Sequence, residues 1–162
     1  MKISFIAVGG TIDKVYFDKL SEYQIGNARV EELLKDARVG FDYQVNSILR
    51  KDSLDMTDAD RELVRQAVKK DENRYIVITH GTDTMVDTAR QLKDIQGKVI
   101  VLTGAMEPAA FRSSDAFFNL GSAVAAVQVL EEGVYIAING RVFDPSLVKK
   151  DRSVMQFTET QQ

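Results

Sequence analysis

The sequence predicts an α/β fold, a doubly wound, mainly parallel sheet with helices on both faces. Three observations predict it. Five short apolar, partly β-branched runs recur along the 162 residues, closed by glycines or polar loops. Segments with apolar residues at helical spacing separate those runs, and parallel neighbours require such crossovers. The composition, 44% hydrophobic and 28% charged, is that of one ordinary domain able to bury its own core.

The elements follow in order. Ile3 to Val8 is an apolar run that ends in Gly9-Gly10, which suits a buried strand and a tight loop. Val30, Leu33, Leu34 and Ala37 then recur at helical spacing after Asn27, a candidate cap, and this helix stops near Gly40. Tyr43 to Leu49 alternates as a second strand, and Lys51 to Asp58 reads as a polar loop. Thr57 with Asp60 forms a capping-box pattern, followed by Leu63, Val64, Ala67 and Val68 on a helix that ends around Lys70. Tyr75 to Thr79 is the clearest strand. After it, Val86, Ala89 and Leu92 mark a helix to about Gln96. Val99 to Thr103 is a strand ending at Gly104, and Ala105 to Ser114, with Pro108, is a loop. Phe117, Leu120, Val124, Val127 and Leu130 stripe a helix from about Asp115 to Glu132, and Val134 to Ile138 is the fifth strand. Asp151 to Gln162 is polar with scattered Val154, Met155 and Phe157, a docked tail or a linker.

Composition narrows the chemistry before any motif does. There is no cysteine, so disulfides, thiolate nucleophiles and thiolate metal sites are excluded, and the one histidine, His80, excludes a multi-histidine metal site. Hydroxyls, carboxylates, lysine, tyrosine and that one imidazole remain. The net charge of -3 is spread along the chain with both signs mixed, which points away from nucleic acid and anionic membrane and toward a small molecule or another protein. The run from Ile3 to Val8 is too short for a signal-peptide core, and no run is long enough to span a membrane. A cytoplasmic location is the expectation.

In a doubly wound sheet, ligands bind beyond the carboxyl ends of the strands. Those ends carry Gly9-Gly10-Thr11-Ile12-Asp13, Asp52-Ser53-Leu54-Asp55 and Thr79-His80-Gly81-Thr82-Asp83-Thr84. A threonine becomes a nucleophile when a neighbouring base takes its proton and backbone N–H groups receive the charge developing on the attacked carbonyl. Glycine beside it lets those N–H groups approach closely. Simpler readings stand beside this one. Gly9-Gly10-Thr11 also fits a strand-to-helix turn or an anion-binding loop, although neither nucleotide-binding glycine fingerprint is present. Asp83 and Thr84 also fit helix caps, His80 a packed histidine, and Lys149-Lys150 a solvated charge pair. No G-x-S-x-G elbow supports a serine triad.

Taken together, Gly-Gly-Thr-Ile at 9 to 12, His-Gly-Thr-Asp-Thr-Met at 80 to 85 and Thr-Gly-Ala-Met-x-Pro at 103 to 108 resemble the bacterial-type L-asparaginase/glutaminase family. Ser113-Ser114-Asp115, Phe118-Asn119-Leu120 and Asn139 to Lys150 extend the likeness over essentially the whole chain. The resemblance implies the family's N-terminal α/β domain. It implies hydrolysis of L-asparagine to L-aspartate and ammonia through an acyl-enzyme, with L-glutamine a poorer substrate and no cofactor or metal. It implies Thr11 as nucleophile and Tyr23, in Tyr-x-x-Gly context, as its activator in a lid, a better match than Tyr16. Thr82, Asp83 and Lys150 are implied as a triad-like group, with Lys149 the fallback for the lysine. Asp83 is further implied as ligand of the substrate α-ammonium and Ser53 as ligand of its α-carboxylate. Gly10, Gly81, Leu54 and Ala105 complete the implied substrate contacts.

Two departures accompany the likeness. Leu54 stands where the family has a glutamine, and leucine offers no hydrogen bond. Residues 1–162 are expected to be one catalytic domain without the family's C-terminal domain, and a homo-oligomer, with a dimer favoured. A non-catalytic binding or interaction module with the same pocket is the alternative, and a flavodoxin-like nucleotide binder follows from topology alone.

Overall fold

The computed structural model of the chain describes residues 1–17 and 22–160. Five parallel strands form the centre: β1 (Lys2–Gly9), β4 (Asp42–Lys51), β5 (Tyr75–Thr79), β6 (Val99–Thr103) and β7 (Gly133–Ile138). A short antiparallel strand, β8 (Arg141–Phe143), adds to the edge, giving the order β4-β1-β5-β6-β7-β8. The β-branched runs form strands because both faces of the sheet are covered. Ile76, Val77 and Ile78 of β5 and Val99 to Leu102 of β6 are all fully buried.

Helices cover the two faces as a doubly wound sheet requires. Helices α2 (Asp58–Lys70) and α3 (Met85–Gln91) lie on one side, where Val64, Val68, Met85 and Ala89 pack against Ile6, Ile78 and Leu102. Helices α1 (Val30–Asp36) and α4 (Ala116–Val129) lie on the other, with Leu34, Leu120 and Val127 against Phe5, Val77 and Val101. The chain passes from β1 outward to β4 and then back across to β5, so the order reverses between β1 and β5. A crevice opens at such a reversal, beyond the strands' carboxyl ends. Among the described residues no helix is long and apolar enough to cross a membrane.

The expected capping box at Thr57 is present. The Asp60 N–H donates to Thr57 Oγ1 and the Thr57 N–H to the Asp60 carboxylate. Elsewhere the structure corrects the expectation. Helix α1 is not capped by Asn27. Arg29 stands at its N-cap, and the Arg29 N–H is satisfied from a distance by Asp13 Oδ1 at 2.8 Å. Helix α3 ends at Gln91 rather than near Gln96. Tight turns from Leu92 and Ile95 replace it, and both residues stay buried while Gly97, at φ 77°, steers the chain into β6. Phe117, assigned to the buried stripe of α4, is half exposed, and Ala116, Leu120, Ala123 and Val127 form the buried face.

Two hairpins lie outside the expected elements. Strands β2 (Lys14–Phe17) and β3 (Glu22–Ile25) pair antiparallel just after the first loop, with Tyr16 opposite Tyr23. Strands β9 (Val148–Asp151) and β10 (Gln156–Glu159) replace the tail or linker, and Phe157 is their buried anchor. The last two residues of that tail lie outside the described residues.

Candidate active site

The site is assembled by close packing of strand ends. Gly10 adopts φ 90°, and a Cβ there would lie 2.4 Å from the Cα and N of Gly81. A Cβ on Gly81 would in turn lie 2.6 Å from the Cβ and Oγ of Ser53. Backbone thus lies directly on backbone, a closeness that only glycine permits. The loops after β1, β5 and β4 are stacked in that order, and Thr11 and Thr82 each follow one of the abutting glycines. Two further ties hold the stack. Gly10 N–H donates to Lys51 O at 2.9 Å, and the Thr84 hydroxyl donates to Ser53 O at 2.8 Å.

The loop after β6 supports the first loop from beneath. Ala105 is fully buried against Ile12 and Ala116, and Ala109 N–H donates to Ile12 O at 3.1 Å. Ala105 is 0% exposed and serves here as packing beneath the first loop. Asp115 shapes this loop by accepting from the N–H groups of Met106 and Glu107 at 3.0 and 3.1 Å.

At the centre, Lys150 Nζ donates to Thr82 Oγ1 at 2.8 Å and to Asp83 Oδ1 at 2.9 Å. Thr82 is 5% exposed, the Lys150 side chain 9% and the Asp83 side chain 26%, so a buried hydroxyl and ammonium lead to a carboxylate partly open to solvent. Strand β9 delivers the lysine, and a chain of amides fixes the hairpin. Asn119 Nδ2 donates to Gly104 O at 3.0 Å, Asn119 Oδ1 accepts from Asn139 N–H at 3.1 Å, and Asn139 Oδ1 accepts from Phe157 N–H at 2.9 Å. The neighbouring Lys149 is exposed. Arg152, in the turn between β9 and β10, also reaches Asp83 Oδ1, at 3.2 Å.

His80 takes no part in this chain. Its Nδ1 lies 2.7 Å from Gly81 O, and its Nε2 lies 2.8 Å from the Thr88 hydroxyl. A carbonyl only accepts, so Nδ1 carries the proton and Nε2 accepts from Thr88. Complete burial lowers its pKa to about 4, so the ring is neutral at pH 7. It is a satisfied core histidine that orients the Gly81–Thr82 peptide. Asp13 is the opposite case. Burial pushes its pKa up to about 6, opposed by the hydrogen bond from Arg29 N–H and the charges of Arg29 and Arg50.

Ser53 is 1% exposed, and its Oγ has no hydrogen-bond partner among the described residues. Leu54 is 63% exposed beside it. Tyr23 sits on the β2–β3 hairpin, its ring 5.4 Å from Tyr16 and 5.7 Å, edge-on, from Phe111. Among the described residues no hydrogen bond joins its hydroxyl to Thr11. Between the hairpin and the end of β4 lies a hollow of about 530 Å³, lined by Lys14, Tyr23, Arg50 and Asp52. Sequence reasoning missed Arg152, Phe111 and the Asn139 strut. Only the Asn139-Gly140 turn pair gave any local signal, and Asn139 indeed has φ 52°.

Comparison with known proteins bears on this geometry. A family model described as "Asparaginase, N-terminal" matches residues 2–158. L-asparaginase 2 of Escherichia coli (strain K12) is 34% identical over 166 residues, which cover 91% of this chain and 46% of that protein. The Glutaminase-asparaginase of Acinetobacter glutaminasificans is 42% identical over 85 residues, 49% of this chain and 26% of its own length. The solved structure of the thermostable L-asparaginase from Thermococcus kodakarensis superposes with a TM-score of 0.84 at 29% identity, covering 98% of this chain and 51% of that one. The chain thus spans about half the length, or less, of the relatives it matches.

Proposed function

This chain belongs to the asparaginase family, matching its N-terminal domain, and from that premise we propose that it hydrolyses L-asparagine to L-aspartate and ammonia through a threonine nucleophile and an acyl-enzyme. L-Glutamine would be the poorer substrate, since one methylene in a pocket is worth only about 1–3 kcal/mol. The observation that carries this reading is Lys150 Nζ bridging Thr82 Oγ1 and Asp83 Oδ1, next to the loop that bears Thr11.

The proposed roles follow from position. Thr11 attacks the side-chain amide carbon, forming an ester as the C–N bond breaks and ammonia leaves, and water then hydrolyses the ester. Thr82 and Lys150 form the proton path, because an ammonium hydrogen-bonded to a hydroxyl can pass a proton along that line toward the departing ammonia. The N–H of Thr82 faces away from His80, because Gly81 O faces toward it. That N–H is the candidate donor to the developing oxyanion. Ser53 Oγ, buried and unpartnered, suits a substrate carboxylate. Asp83, whose side chain is 26% exposed, is the candidate partner of a substrate ammonium. Tyr23 acts from the hairpin by moving over Thr11.

The experiment is ammonia release from L-asparagine by the purified, folded chain, with Thr11→Ala alongside. The expected result is turnover in the parent and a loss of at least about a hundredfold in the variant, at unchanged unfolding temperature. A folded chain that binds L-aspartate and releases no ammonia overturns the hydrolase reading in favour of a binding module.

A further inference from the structure

Strand β9, which places Lys150, pairs with β10 and with no strand of the main sheet. The position of the lysine therefore depends on what seats this hairpin against the body of the protein. Val148 and Phe157 pack into the core, but apolar burial is non-directional and does not set where along the surface they rest. Directional ties do that. Arg90 Nε, donating to Pro145 O at 2.9 Å, fixes the approach to β9, and the exposed pair Arg141–Glu159 touches the end of β10. Level with Lys150 itself, the tie is Asn139. Phe157 stands directly opposite Lys150 in the ladder. Its N–H donates to Asn139 Oδ1 at 2.9 Å and so points away from β9, which makes Phe157 and Lys150 a closely spaced, non-hydrogen-bonded pair. Asn139, at φ 52°, and Gly140, at φ 74°, form the two-residue turn between β7 and β8. The Asn139 N–H is held at 3.1 Å by Oδ1 of Asn119, a residue 1% exposed whose Nδ2 donates to Gly104 O and Asp115 Oδ2.

We propose that Asn139 is a positioning residue for Lys150. It holds the strand position opposite the lysine at a set distance from the end of β6, and so keeps the ammonium on Thr82 Oγ1 and Asp83 Oδ1. Lysine reaches those acceptors on a long, flexible stem, and a shift of the hairpin by about an ångström would let the ammonium exchange Thr82 for water. The turn alone asks less of residue 139. Glycine adopts φ 52° at least as easily as asparagine, and aspartate tolerates it too. What the turn does not need is an acceptor aimed at β10, and the Asn139 amide supplies one. The inference rests on the amide-hydrolase reading for its effect on rate. Its effect on the exposure of the lysine does not depend on turnover.

Two variants separate positioning from turn formation. Asn139→Gly keeps the turn and removes the acceptor, whereas Asn139→Asp keeps both. Ammonia release from L-asparagine is expected to show kcat about tenfold lower in Asn139→Gly, with KM within about twofold of the parent, and most of kcat recovered in Asn139→Asp. Brief acetylation with acetic anhydride, read by tandem mass spectrometry, follows the lysine directly. The Lys150 side chain, 9% exposed in the parent, should be labelled several-fold faster in Asn139→Gly, relative to the exposed Lys149, and at the parent's rate in Asn139→Asp. Equal labelling of Lys150 in the parent and Asn139→Gly, an unchanged kcat in an active Asn139→Gly, or an Asn139→Asp that behaves like Asn139→Gly overturns the proposal. An Asn139→Gly chain that fails to fold, or unfolds at markedly lower urea than the parent, assigns the amide to the fold instead of the lysine and overturns it as well. Faster labelling in Asn139→Gly alone, without ammonia from any of the three proteins, sinks the hydrolase reading and leaves this inference standing. Ammonia from the parent, with labelling indifferent to residue 139, does the reverse.

Discussion

Two buried groups near the site, Asp13 and His80, titrate in the same pH window with opposite consequences. The pKa of Asp13 is raised from 3.8 to about 6, so the folded state holds its proton more tightly than the unfolded chain does. Its ionised form destabilises the fold above pH 6, and that cost is relieved as the pH falls from 6 toward 4. His80 is lowered from 6.5 to about 4, so the unfolded chain takes the proton first and stability is lost as the pH falls through that window. Going from pH 7.5 to pH 5, Asp13 contributes a gain and His80 a loss, each on the order of 1–2 kcal/mol. The two oppose each other in the parent, and single substitutions expose them. Relative to the parent, Asp13→Asn is expected to lose stability over this pH drop and His80→Gln to gain it, read by urea unfolding at both pH values. Parallel pH profiles for all three proteins would refute the assignment. Sequence alone offered His80 as a packed histidine among its readings. It gave no sign of how deeply Asp13 is buried, nor that its carboxylate accepts from the Arg29 N–H, sixteen residues away.

Among the elements, legibility tracks burial. Strands β5 and β6 are read from sequence with the boundaries they have, because every residue from Ile76 to Thr79 and from Val99 to Thr103 is buried and apolar or β-branched. The β2–β3 hairpin escapes because β3 is largely exposed, so no period-two pattern marks it. It is nonetheless the element that carries Tyr23, and it is held by an aromatic run rather than by the core. Tyr23 packs on Tyr16 within the hairpin and on Phe111 of the loop after β6, at 5.7 Å edge-on. An aromatic pair of this kind is worth about 0.5–1.5 kcal/mol, enough to change the population of a closed hairpin by up to about tenfold. Phe111→Ala should therefore lower kcat several-fold and speed hydrogen exchange of the β2 and β3 amides. The global unfolding midpoint should barely move, since Phe111 is 39% exposed. Unaltered exchange in the hairpin would show that the contact does not hold it.

At the scale of the molecule, the α/β class was legible because apolar period and crossover length are local properties. The order β4-β1-β5-β6-β7-β8 was not, because a pattern of burial says which residues go inside and not which strands become neighbours. That order places the ends of β1 and β5 side by side at the reversal point, and the glycines make the contact possible. The stability of the sheet and the geometry of the site are consequently set by the same few atoms. Gly10→Ala would place a methyl carbon 2.4 Å from the backbone of Gly81 in a residue held at φ 90°, with no flexible side chain available to yield. Backbone would have to move, separating the Thr11 loop from the Thr82 loop. The expected cost is more than about 2 kcal/mol, from overpacking and the strained φ together, with turnover lost as well. Gly40→Ala is the control, since a Cβ there meets nothing within 4 Å, and it should stay within about 0.5 kcal/mol of the parent. Urea unfolding and ammonia release on both variants decide the matter. A Gly10→Ala chain as stable as Gly40→Ala would mean that the two strand ends are not locked together and that the site's geometry has some other source.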